Sequence, residues 1–113
     1  MVFATGGIEQ TTSIKFDGKT VYRKIYSIGD VSANATKQID TGLTTTIDII
    51  FNLRGVVRLP DSQCNIPLPY ASNQSGYNYE LQMVGVGSTP KIQIVAGTAA
   101  IQSGFVILEY TKK

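Results

Sequence analysis

The sequence predicts an all-β fold: an antiparallel β-sandwich, jelly-roll-like, with about eight strands. Three observations predict it. Two long segments alternate apolar and polar residues with period two. Turn signals built from Gly, Pro, Asp and Asn recur about every eight to twelve residues. No comparable stretch combines helical apolar spacing with good helix formers.

The elements follow in order. Residues 1–11 read as a flexible lead-in and 12–113 as a single sandwich domain. Thr12 to Phe16 and Thr20 to Ile28 are extended runs flanking Asp17-Gly18. That dipeptide favours a type I′ hairpin turn, because both central residues need positive φ. Thr36 to Asp40 is a short strand ending at Thr41-Gly42. In Thr46 to Arg54, Ile47, Ile49, Phe51 and Leu53 share one parity, while Asp48, Ile50, Asn52 and Arg54 share the other. The first set is expected inside. Val56 to Leu59 reads as a further strand, stopped by Pro60-Asp61.

Tyr77 to Met83 alternates more cleanly: Tyr77, Tyr79, Leu81 and Met83 point one way, and Asn78, Glu80 and Gln82 the other. Lys91 to Val95 buries Ile92 and Ile94. The last strand, Gly104 to Thr111, is apolar on both faces, with Phe105 and Ile107 opposite Val106, Leu108 and Tyr110. Such a strand lies centrally in the fold or against another chain.

Composition narrows the function classes. With 113 residues, 42% hydrophobic and 16% charged, the chain supports one core. A net charge of +2 is too weak to imply nucleic acid, which needs a clustered basic face. Lys15, Lys19, Arg23 and Lys24 are the densest basic group. Lys15, Lys19 and Arg23 share parity in sequence, although Asp17 lowers the field between them. A solvated hairpin face is the expectation. No apolar run approaches a membrane span, so no membrane insertion is expected. The N-terminus lacks the charged and apolar regions of a signal peptide. Cys64 stands alone, so no intrachain disulfide can form.

Catalytic chemistry finds little to work with. The chain has no His, which removes Ser–His and Cys–His nucleophile pairs and the usual zinc ligands. Gly85-Val86-Gly87 opens like a dinucleotide fingerprint, but Pro90 occupies the third glycine's place. Asp48 and Glu80, both on polar strand faces, could meet across a sheet as a glycosidase pair; the alternative is a solvated strand face. The expectation is no enzyme, no cofactor and no metal.

Binding is the better prospect. Pro60 to Gly76 is the least regular segment and holds three of the four prolines. Long irregular loops in compact domains are often functional; the alternative is a crossover tied down by Ile66 and Leu68. Tyr70, beside Pro69, is the best candidate for an exposed ring. A ring flanked by amides and carboxylates suits a saccharide, whose C–H groups meet the ring face while its hydroxyls meet the polar groups. The alternative is a ring covering the sandwich end. The candidate receptor-binding set is Asp61, Gln63, Asn65, Tyr70, Asn73 and Gln74.

Three stretches also carry a resemblance. Asp17-Gly18-Lys19-Thr20-Val21-Tyr22-Arg23-Lys24 resembles the "DGKPIYRK" opening of a β-domain found at the C-terminus of bacteriophage tail fibre and baseplate proteins. Ile66-Pro67-Leu68-Pro69-Tyr70 resembles its central "LPLPY" segment, and Phe105-Val106-Ile107-Leu108-Glu109-Tyr110-Thr111-Lys112 its closing "YVILEYTK" strand. Order and spacing match over residues 16 to 113. Phe16 departs from the family's frequent Ile, and Thr20 from its usual Pro. A longer N-terminal shaft, common in the family, does not precede this stretch, which leaves a small standalone virion protein or a domain excised from a longer one.

The resemblance implies a non-enzymatic virion component at the tail tip, a homotrimer in contact with other virion tail proteins. It implies contact with the host surface through a cell-wall or capsular saccharide. Such a protein is made in the bacterial host cytoplasm without a signal peptide. The resemblance places no binding residue here; the loop residues above come from polarity and position. The rivals are a structural assembly or decoration subunit, which an apolar exposed patch favours, a small glycan-active enzyme, and a cellular carbohydrate-binding module, which would be a monomer.

Overall fold

A computed structural model describes residues 9–43, 47–59, 65–70, 78–85 and 90–113. Eight strands are present: β1 (Gln10–Phe16), β2 (Lys19–Ser27), β3 (Thr36–Asp40), β4 (Ile47–Arg58), β5 (Asn65–Leu68), β6 (Glu80–Val84), β7 (Lys91–Val95) and β8 (Ser103–Lys112). They form a five-stranded sheet in the order β1-β2-β8-β4-β5 and a three-stranded sheet in the order β3-β7-β6. Every pairing is antiparallel. The all-β sandwich read from the alternation is the fold observed.

The jelly-roll character lies in the nesting. β2 pairs with β8, and inside that pair in sequence β3 pairs with β7 in the opposite sheet. The inner elements depart from a full roll, since β4–β5 and β6–β7 are neighbours in sequence that pair locally. The Asp17-Gly18 turn has φ of 52° and 76°, the positive pair that a type I′ turn requires.

The core lies between the sheets. Ile92 and Ile94 of β7 face Val106, Leu108 and Tyr110 of β8, all at 0% exposure, with Tyr26, Val57 and Leu68 completing the layer. Each such aliphatic side chain contributes roughly 1.5–3 kcal/mol on burial. β8 sits centrally, between β2 and β4, as its two apolar faces require.

Four expectations are corrected. Residues 46–54 and 56–59 were expected as separate strands; they are one strand, β4, that continues through Gly55. Gly55 lies against β8 so closely that a Cβ there would meet the Phe105 carbonyl oxygen at 2.4 Å. The eighth strand is instead β5, inside the segment expected to be irregular. Pro67 hid it, because proline lacks a ladder donor; β5 is a sheet edge, where proline is tolerated. At the N-terminus, Gln10 and Thr11 belong to β1 rather than to the lead-in.

The third correction concerns which side chains of β4 face inward. Ile47 pairs with Lys112, Ile50 with Tyr110 and Asn52 with Glu109, so β4 carries an extra residue at each of two irregularities. Each bulge reverses the alternation relative to β8. Between them Ile50 turns inward while Ile49 and Phe51, expected in the core, stand 41% exposed. The buried Thr111 hydroxyl accepts the Ile49 N–H at 3.3 Å. After the second bulge Leu53 and Val57 return to the core side.

The fourth concerns the basic hairpin. Lys15 pairs with Thr20, and Phe16 with Lys19. Lys15 therefore lies on the opposite face from Lys19 and Arg23, because a two-residue turn offsets the parity of its strands. Lys19 is paired with Asp48 at 2.7 Å and Arg23 with Glu109 at 2.7 Å.

Candidate functional site

The strands determine where the exposed tyrosine stands. Leu68, on β5, is buried at 3% exposure and closes one edge of the five-stranded sheet. The chain then passes through a cis Leu68–Pro69 bond to Tyr70. Tyr70 N–H donates to the Tyr79 carbonyl at 2.9 Å, and Tyr79 N–H donates back to the Tyr70 carbonyl at 2.9 Å. Tyr79 itself is 1% exposed, and its hydroxyl donates to the Ala99 carbonyl at 2.8 Å. A surface tyrosine is thus held by its backbone to a buried one.

Tyr70 is 37% exposed and borders an open groove of about 500 Å³ beside β6, the end strand of its sheet. Among the described residues, Pro69, Asn78, Tyr79, Glu80, Leu81 and Gln82 also line it. None of these side chains is cationic. Glu80 and Gln82 are both exposed. Among the described residues the groove therefore offers a ring face, amides and a carboxylate. That set can take C–H groups on one side and hydroxyl hydrogen bonds on the other.

Of the residues expected from sequence, Tyr70 lies in this groove. Asn65 does not: it opens β5 at the other end of the strand, paired with Arg58. Four residues separate it from Tyr70, a span of up to about 16 Å. Asp61, Gln63, Asn73 and Gln74 lie outside the described residues. The polar members that the sequence reading missed are Asn78, Glu80 and Gln82. Their shared parity was visible, but it read as a solvated strand face; only the Tyr70–Tyr79 bridge brings the ring beside them.

Asp48 and Glu80, the one carboxylate pair weighed as a glycosidase pair, do not meet across a sheet. Asp48 belongs to the five-stranded sheet and is engaged by Lys19, whereas Glu80 belongs to the three-stranded sheet. Among the described residues the most buried carboxylate is Glu109, at 4% exposure on the outer face of β8. Burial raises its pKa, but hydrogen bonds from Asn52 and Arg23 and the charges of Arg23 and Arg54 outweigh that, leaving it below the ordinary 4.5. Such a group is held ionised, the reverse of what a general acid needs. Glu9 is likewise lowered: burial pushes it up, but the Tyr110 hydroxyl and Lys112 ammonium that bond it prevail. The same contact, with desolvation first, pushes Tyr110 far above the usual tyrosine value.

Apolar surface lies elsewhere. On the outer face of the five-stranded sheet, Phe105 is 39% exposed beside a groove of about 370 Å³ that Arg54, Val56, Pro67 and Ile107 also line. At the hairpin end Ile14, Phe16, Ile49 and Phe51 are all partly exposed, and the Phe16 and Phe51 rings meet edge-to-face at 5.4 Å.

Comparison of the chain with family models, with curated proteins and with solved structures returned no match.

Proposed function

We propose that this domain is a non-enzymatic component of a bacteriophage virion, at the tail fibre or baseplate, that binds a saccharide on the host cell surface. The observation that carries the binding role is the half-exposed Tyr70 ring, pinned beside a groove with Asn78, Glu80 and Gln82. The virion assignment comes from the three-part resemblance at residues 17–24, 66–70 and 105–112. A saccharide fits the groove because stacked C–H groups and hydroxyls use both kinds of lining. Single contacts of this kind are weak. A homotrimer presenting three grooves multiplies avidity without new contacts, provided all three can engage together. The exposed Phe105, with Ile107 and Val56, offers an apolar face for such self-association.

Tyr70→Ala is the direct test. The purified domain should bind intact bacterial cells and their extracted wall glycans, and Y70A should lose that binding while keeping its fold. Light scattering after size exclusion should return a trimer. A monomer that still binds glycan through Tyr70 would support a carbohydrate-binding module in place of a tail-tip protein. A second reading, a structural virion subunit that binds only other proteins, draws on the apolar surface around Phe105 and Phe51. It requires that Y70A change nothing and that Phe105→Ser abolish assembly.

A further inference from the structure

The groove at Tyr70 does not end at β6. Gln82 pairs in register with Gln93 of β7, and Gln93 pairs with Gln38 of β3. Their neighbours on the same strands, Leu81, Met83, Ile92, Ile94 and Ile39, pack into the core. By alternation, Gln82, Gln93 and Gln38 share the opposite, solvent-facing side of the three-stranded sheet. Gln38 Nε2 donates to Gln93 Oε1 at 2.9 Å, so two of the three amides orient each other. The row spans two inter-strand spacings, about 10 Å, which is longer than one sugar ring.

Charge narrows what this surface can hold. The row itself is uncharged. At its groove end stands Glu80, which has no ion pair among the described residues; at its flank Asp40 and Lys91 are register partners of opposite sign. A phosphate- or carboxylate-rich polymer would meet Glu80 without a compensating cation among the described residues of the groove. An uncharged chain can hydrogen-bond both the amides and Glu80, and an amine-bearing chain also gains the charge of Glu80. The face also lies on the sandwich's other side from Phe105, so a trimer packed through Phe105 leaves all three glutamine rows exposed.

We infer that the ligand is an uncharged or amine-bearing oligosaccharide that runs from the Tyr70 groove across Gln82, Gln93 and Gln38. This rests on the saccharide-binding reading above and adds chain length, path and charge class to it. The ring anchors one unit, and the amide row hydrogen-bonds the hydroxyl or acetamido groups of those that follow.

Calorimetric titration of the intact domain tests it. The probes are N-acetylglucosamine oligomers of increasing length, the deacetylated glucosamine oligomers, and poly(glycerol phosphate). Affinity for the sugar oligomers should climb with length until the row is covered, and poly(glycerol phosphate) should bind more weakly than either series. Gln93→Ala should weaken the long oligomers roughly 3- to 10-fold, the worth of about one hydrogen bond, and leave the disaccharide unchanged. Its urea midpoint, close to that of the unmodified domain, shows that the fold is intact. Binding that Y70A abolishes but that is indifferent to length and to Q93A would overturn the extended path and leave the groove reading standing. Tightest binding to poly(glycerol phosphate) would overturn the charge class. No binding by either sugar series would overturn this inference, and the groove reading with it if whole cells and wall glycans also fail to bind.

Discussion

Arg23 grips Glu109 from the adjacent strand: its Nε donates to Glu109 Oε2 at 3.0 Å and its Nη2 to the same oxygen at 2.7 Å. Asn52 Nδ2, on the strand to the other side, donates to Oε1 at 2.9 Å. The three residues lie in one register row across β2, β8 and β4. A carboxylate at 4% exposure can stay ionised only with such partners. The row therefore ties the central strand to both neighbours on the outer face, where the core gives no help.

Removing one partner should cost more than removing the pair. Arg23→Ala removes the paired cation from a buried anion and should lower stability by about 3 kcal/mol, at the low end for a buried pair because Arg23 keeps some solvent contact and Asn52 and Arg54 remain. Replacing Arg23 and Glu109 together by leucine should recover much of that loss. Urea unfolding at neutral pH of Arg23→Ala and of the double leucine variant measures the difference.

The same network sets an acid limit. Glu109 has a folded pKa below its unfolded value near 4.5, so its contribution is full above that value and is lost as pH falls through the folded pKa. Glu9 shifts in the same direction and adds to the effect. Stability should be flat from neutral pH to about pH 5 and then fall. Glu109→Gln should be less stable at neutral pH and show a shallower acid loss, read from unfolding midpoints at pH 7 and pH 3.

Gly55 and Gly104 are required by space rather than by φ. A Cβ at Gly55 would meet Phe105 O at 2.4 Å, and one at Gly104 would meet Val56 O at 2.5 Å. Both obstacles are backbone and cannot swing aside. Alanine at either position should destabilise by on the order of 1–3 kcal/mol, an overpacking cost that thermal unfolding will register.

Tyr70 and Tyr79 are bonded neighbours with opposite roles. Tyr70→Ala should scarcely move the melting temperature, because its ring is largely at the surface and its two bridge bonds are backbone. Tyr79→Ala should cost about 3–5 kcal/mol, as for other large aromatic truncations in a core. Tyr79→Phe, which removes the bond to the Ala99 carbonyl, should cost about 1 kcal/mol and preserve binding at the groove.

Phe16 and Phe51 approach from strands that are not sheet neighbours, since β2 and β8 lie between β1 and β4. A double-mutant cycle with serine at both positions should report a coupling of about 0.5–1.5 kcal/mol. Coupling near zero would mean that the two rings are independent in solution.

Much of this was legible locally. Tyr79, Leu81 and Met83 face the core, and Ile92 and Ile94 are fully buried, because strand alternation is imposed by the backbone of each residue and its immediate neighbours. The Asp17-Gly18 turn was legible for the same reason. Ile49 and Phe51 were not. Their orientation depends on two bulges that exist only where β4 is laid against β8, and an extra residue in a ladder leaves no mark in a one-strand pattern. β5 was hidden because its identity as an edge, which makes Pro67 acceptable, is a property of the assembled sheet.

The candidate site divides the same way. Local patterning suffices for the class of fold, most of its strands, and a tyrosine suited to the surface, since each follows from short-range sterics and hydrophobic periodicity. What stands beside that tyrosine is set by long-range packing. Tyr70 leaves the edge of one sheet and bonds at the edge of the other, which brings Asn78, Glu80 and Gln82 to it and continues into Gln93 and Gln38. That arrangement depends on long-range hydrogen bonds between segments far apart in the chain, and no local pattern encodes which segments will meet.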